Sequence, residues 1–135
     1  MTDGTIDHIG IATISLDESE KLWSILGFAA GEDQINSEQG VKIRFMHGKT
    51  STKIELLEPL GENTPVGKFI SNKGPGIQQI AIRVSDIEET ISSLLSMGVK
   101  MVSEIPTLGA EGHRIAFVHP SSSGGVLIEL VESSK

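Results

Sequence analysis

Residues 6–14 predict a strand, with Ile9-Gly10-Ile11 at the two-residue apolar period. Ser15-Leu16-Asp17-Glu18 follows as a capping-box pattern. Leu22, Ile25 and Leu26 then give a helical apolar face, and Gly27 closes the helix. After a polar loop, residues 41–46 alternate Val, Ile, Phe and Met with Lys and Arg, as a half-buried strand does. Residues 49–53 read as a turn, and residues 53–57 as another strand stopped by Glu58-Pro59. Asn63 or Thr64 can cap a short helix whose first turn holds Pro65, and Lys73-Gly74-Pro75-Gly76 ends it.

The plan then starts again. Residues 77–84 predict a strand, Ser85-Asp86-Ile87-Glu88 a second capping box, and Ile87, Ile91, Leu94 and Leu95 a second amphipathic face closed by Gly98. A short strand is expected at residues 100–103 and a Gly-rich loop at 106–112. Strands follow at 113–118 and 125–131, with a turn between them. Strand, helix and then two or three strands in each half imply an α+β fold.

The two halves also match residue by residue. His8 falls on Gln79, Ile9 on Ile80 and Ile11 on Ile82, an offset of 71. Leu26-Gly27-Phe28 meets Met97-Gly98-Val99 at the same offset, residues 40–47 meet 112–119 at 72, and Ile54-Glu55-Leu56 meets Ile128-Glu129-Leu130 at 74. Turn-length changes produce such drift. The chain is a duplicated unit of roughly seventy residues, the kind of self-similarity that fixes an architecture before other signals do. Its modules are residues 5–59 and 76–133, joined by a linker at 60–75, in one domain of residues 1–135.

Composition narrows the function. A net charge of −7 and the absence of Tyr argue against nucleic-acid binding, which needs cationic and stacking side chains. No apolar run is long enough for a transmembrane helix, and the N-terminus lacks the pattern of a secretory signal. There is no cysteine, which removes disulfides, thiolate metal sites and cysteine nucleophiles and fits a cytoplasmic protein. The Gly-rich stretches lack the strand–loop–helix context of a nucleotide fingerprint, and Ser121-Ser122-Ser123 is a turn rather than part of a triad.

Four polar residues remain at matched places in apolar strands: His8 with Gln79, and Glu55 with Glu129. Alternation sets the carboxylates on the face opposite their apolar neighbours. Packed with pseudo-twofold symmetry, one imidazole, two carboxylates and one amide oxygen can hold a divalent ion and leave coordination positions for a chelating substrate. His47 and His119 are also matched, in Phe-x-His, but stand at strand ends before turns; His113 has no counterpart.

Asp7-His8-Ile9-Gly10-Ile11-Ala12, Glu38-Gln39-Gly40-Val41, Glu55-Leu56-Leu57-Glu58-Pro59, residues 65–69, Leu108-Gly109-Ala110, Phe117-Val118-His119-Pro120 and Gly125-Val126-Leu127-Ile128-Glu129-Leu130 together carry a resemblance over nearly the whole chain. The sequence resembles the methylmalonyl-CoA epimerases, a family of the vicinal oxygen chelate (glyoxalase/bleomycin resistance/dioxygenase) superfamily. The resemblance implies two βαβββ modules forming a cupped mixed sheet around a metal, the glyoxalase-like fold. It implies a metal bound by His8, Glu55, Gln79 and Glu129, with Co2+ first and Mn2+, Ni2+ or Zn2+ as alternatives. It further implies epimerisation at C2 of methylmalonyl-CoA, an acyl-CoA substrate, and a homodimer. Glu129 is the candidate catalytic group; Glu38, His113, Glu55 or a water would supply the second. The sequence departs from the family in two places: Gln78-Gln79 stands where epimerases usually have a His pair, and Ile43 where some members have a Glu. A glyoxalase-like lyase and a non-catalytic binding protein of the same fold are the competing readings.

Overall fold

A computed structural model of the chain describes residues 4–133. Among them are nine strands and three α-helices: β1 (Thr5–Ala12), α1 (Leu16–Ile25), β2 (Ala29–Ala30), β3 (Gln34–Asn36), β4 (Val41–His47), β5 (Lys53–Pro59), α2 (Pro65–Lys73), β6 (Gly76–Val84), α3 (Ile87–Ser96), β7 (Thr107–Leu108), β8 (Arg114–Val118) and β9 (Leu127–Glu132). The chain forms two compact units. Among the described residues, the first is His8–Gln78; the second joins residues 79–133 with residues 4–7.

In the first unit the strand order is β2-β4-β5-β1, with β3 also on β4. β1 runs parallel to β5, and β4 antiparallel to β5, β2 and β3. In the second unit the order is β6-β9-β8-β7, again with the first strand parallel to the last and the others antiparallel. The duplication read in the sequence is therefore a duplication of topology. The order strand–helix–strands lets the helix serve as the crossover that a parallel pair requires.

One face of each sheet packs on its helix. In the first unit Leu16 of α1 joins Met46, Ile54 and Leu56, with Trp23 and Phe28 packed against them. In the second, Ile87 and Ile91 of α3 join Val84, Met101, Ala116, Val118 and Leu130. Both helices are also anchored by a carboxylate from the last strand of their own unit. Leu16 N–H donates to Glu58 Oε1 at 2.9 Å, and Ile87 N–H to Glu132 Oε2 at 3.1 Å. An anion at a helix N-terminus meets the exposed N–H groups and the positive end of the dipole.

Several local expectations change. The apolar face expected on α1 is not its buried face: Leu22, Ile25 and Leu26 are exposed, and Leu16 and Trp23 turn inward. The second capping box moves by one residue, since Asp86 rather than Ser85 caps α3 and accepts from Glu89 N–H. Ser15 and Thr64 cap α1 and α2. The loop after α1 contains β2 and β3, too short to show a period. Residues 100–103 form no named strand; Met101 makes a single bridge to Val118, and the strand instead lies at Thr107–Leu108. Ser103, Glu104 and Pro106 interrupt the alternation between them. No helix among the described residues is long and apolar enough to cross a membrane.

Candidate metal and substrate site

β1 places His8 beside Lys53 of β5, and Gly10 beside Glu55. His8 Nε2 stands 3.2 Å from Glu55 Oε1, and both side chains are only 5% exposed. Phe45 is the partner of Glu55 on β4, and its ring meets the His8 ring edge-on, with centroids 5.5 Å apart at 86°. The second unit repeats the arrangement. β6 places Gln79 beside Leu127 of β9 and Ala81 beside Glu129, whose partner on β8 is Phe117. Gln79 Nε2 donates to Glu129 Oε1 at 2.6 Å, and both residues are buried. A carboxylate accepts only, so the amide nitrogen must face it.

Each unit thus pairs one buried carboxylate with a buried imidazole or amide on the neighbouring parallel strand. The spacing is the same in both: ligand candidate, one residue, then a Gly or Ala facing the carboxylate. Small residues at Gly10 and Ala81 and aromatic ones at Phe45 and Phe117 flank the two glutamates. Their match was visible in the sequence, but their part in the site follows only from cross-strand register. Burying an ionised carboxylate is costly unless it is paired. The imidazole or amide hydrogen-bonding group beside each carboxylate offsets that cost, and a bound divalent ion would add to the compensation. The donor set of one nitrogen and hard oxygens fits a divalent ion.

The remaining candidates lie elsewhere. Asp7 is buried, but its carboxylate accepts from Arg83 Nε and Nη2 at 3.0 and 2.9 Å. Glu38 is exposed in the turn before β4, and His113 is half-buried ahead of β8. His47 is exposed at the end of β4. His119 shapes a turn: its Nδ1 accepts from Ser121 N–H at 3.0 Å. Ile43 is buried in β4, opposite Leu57.

The sequence pattern of the glyoxalase/bleomycin resistance protein/dioxygenase superfamily matches residues 7–117. The mitochondrial methylmalonyl-CoA epimerase of Dictyostelium discoideum is 38% identical over 131 residues, covering 96% of this chain and 78% of that protein. The crystal structure of methylmalonyl-CoA epimerase from Mycobacterium tuberculosis superposes with a TM-score of 0.92 at 40% identity, over 99% of this chain and 90% of that one. A variant of the Streptomyces coelicolor epimerase in complex with 2-nitronate-propionyl-CoA gives a TM-score of 0.90 at 35% identity, over 97% and 95% of the two chains. The chain belongs to the glyoxalase/bleomycin resistance protein/dioxygenase superfamily and, within it, to the family of the methylmalonyl-CoA epimerases. Its fold is the glyoxalase-like α+β fold.

Proposed function

We propose that the protein is a methylmalonyl-CoA epimerase, an isomerase that interconverts the two C2 epimers of its acyl-CoA substrate. One observation carries the reading: His8–Glu55 and Gln79–Glu129 form two buried, register-matched pairs in a chain of the epimerase family. In this reading the two pairs together hold one divalent ion, Co2+ first, with Mn2+, Ni2+ or Zn2+ as alternatives. The protein works as a cytoplasmic homodimer.

Held by His8, Glu55, Gln79 and Glu129, a divalent ion would supply Lewis-acid stabilisation to the charge that develops on the substrate's oxygens. The C2 hydrogen lies between a thioester carbonyl and a carboxylate, which makes it acidic. Glu129 takes that proton, and the C–H electron pair moves into the thioester carbonyl to give an enolate. A second group on the opposite face returns a proton to C2, which inverts the centre. Burial of Glu129 keeps water from competing for the proton. Phe45 and Phe117 give the apolar walls in which charge interactions strengthen.

The test is isotopic. Incubated with one epimer in D2O and the added ion, the protein should yield the second epimer with deuterium at C2. Glu129→Gln should slow this by about 10²–10⁴-fold, the contribution of a positioned acid/base. Unlabelled, unchanged substrate after prolonged incubation of the wild-type protein would sink the proposal.

A further inference from the structure

Lys53 is a position of the first half-site where the repeat is broken in charge. It precedes Glu55 by two residues on β5, so alternation sets both on one face. Its counterpart before Glu129 is Leu127, and the two occupy equivalent registers: Lys53 beside His8, Leu127 beside Gln79. The repeat thus has a lysine in one copy and a leucine in the other, directly next to a metal-ligand candidate. The residue is half-buried, and Lys53 Nζ lies 5.1 Å from the centroid of the Phe45 ring. That is the same ring whose centroid is 5.5 Å from the His8 ring centroid. A cation over an aromatic face is held there at low cost. His47, the partner of Lys53 on β4, stands with its ring centroid 6.3 Å from that of Phe45. Three nitrogen-bearing side chains thus surround one aromatic ring in a chain whose net charge is −7.

We infer that Lys53 binds the free carboxylate of the substrate's acyl group and so selects malonyl-type acyl-CoAs over simple ones. The inference rests on the epimerase reading. The Phe45 ring holds the ammonium on the ring that His8 also contacts, and the register sets Lys53 directly beside His8. A group that recognised the distant nucleotide end of CoA would have no reason to sit there. The ammonium offers three donors to a carboxylate without fixing its orientation, so both epimers can be held.

The experiment compares two ligands that differ in one carboxylate. Wild type, Lys53→Met and Lys53→Arg, each loaded with Co2+, are titrated calorimetrically with methylmalonyl-CoA and with propionyl-CoA. Wild type should prefer methylmalonyl-CoA. Lys53→Met should weaken methylmalonyl-CoA about tenfold, the order of one charge-assisted hydrogen bond, and leave propionyl-CoA within about twofold. Lys53→Arg, which keeps the charge, should restore most of the preference. An equal loss for both ligands, or no loss for either, overturns the inference. A wild type that binds both equally also overturns the inference, whereas one that binds neither acyl-CoA overturns the epimerase reading on which it rests. Co2+ stoichiometry and melting temperature, read on the same samples, separate a misfolded variant from one that has lost the contact; if Lys53→Met is misfolded, Lys53→Gln takes its place in the same comparison.

Discussion

Gln79 and His8 hold equivalent places in two copies of one strand, yet their chemistry differs. His8 offers an imidazole nitrogen. Gln79 turns its amide nitrogen to Glu129, so its carbonyl oxygen is the atom suited to a metal. Oxygen is the harder donor and favours Mn2+ relative to ions that prefer nitrogen. Gln79→His is expected to keep the fold and to raise affinity for Co2+ or Zn2+ more than for Mn2+. Calorimetric titration with each ion reads this without reference to turnover; unchanged affinities for all of them would remove Gln79 from the ligand set. At this scale the sequence was most informative. Four polar residues in two matched pairs stood out because apolar neighbours surrounded them. Phe45, Phe117, Gly10 and Ala81 did not stand out, because an apolar residue in an apolar strand carries no signal until its register is known. Lys53 reads in the sequence only as a strand boundary, because a lysine at a strand start is ordinary until its register beside His8 is known.

Elements were legible where their period was long and ambiguous where packing chose between two faces. α1 has apolar residues on more than one side, and the sheet took Leu16 and Trp23, which leaves Leu22, Ile25 and Leu26 outside. Periodicity detects such a helix but does not orient it when the apolar arc is wide. α2 shows the opposite limit, a constraint invisible to propensity. Gly67 is buried, and a Cβ there would collide with Gly61 O and lie 2.8 Å from Glu62 O. Both are backbone atoms and cannot swing aside. Gly67 N–H also donates to the capping Thr64 Oγ1 at 3.0 Å, which ties the helix start to that turn. In an open helix Gly→Ala stabilises by roughly 1 kcal/mol. Here the sign should reverse, and Gly67→Ala should destabilise by about 1–3 kcal/mol, as overpacking does. Denaturant unfolding measures it, and a rise in stability would contradict the packing described.

At the scale of the whole molecule, duplication and acidity were both plain in the sequence, but the distribution of charge was not. Arg44 gathers three acidic groups in the first unit: Asp33 at 2.6 and 2.8 Å, Asp17 at 2.9 Å and Glu20 at 2.9 Å. These contacts join β4 to α1 and to the loop before β3. Hydrogen bonding from Arg44 holds the Asp33 carboxyl below its ordinary value, although partial desolvation opposes the shift. A lowered folded-state value means that the contribution is complete above the unfolded carboxylate range, near pH 4, and disappears as pH falls through the lowered value. Arg44→Met should therefore cost about 1 kcal/mol at neutral pH, and the gap from wild type should close in acid. Melting curves across the acid range test this; a gap that widened as pH fell would reverse the assignment.

Trp23 leans edge-on against Phe28, with ring centroids 5.6 Å apart, inside the first unit. The chain has no other tryptophan and no tyrosine. Light absorbed near 295 nm is therefore emitted from one half of the duplicated molecule alone, whereas backbone dichroism samples both halves. The protein carries its own optical label on His8–Gln78, and any difference between the two signals during unfolding is a direct reading of how far the halves melt as one body.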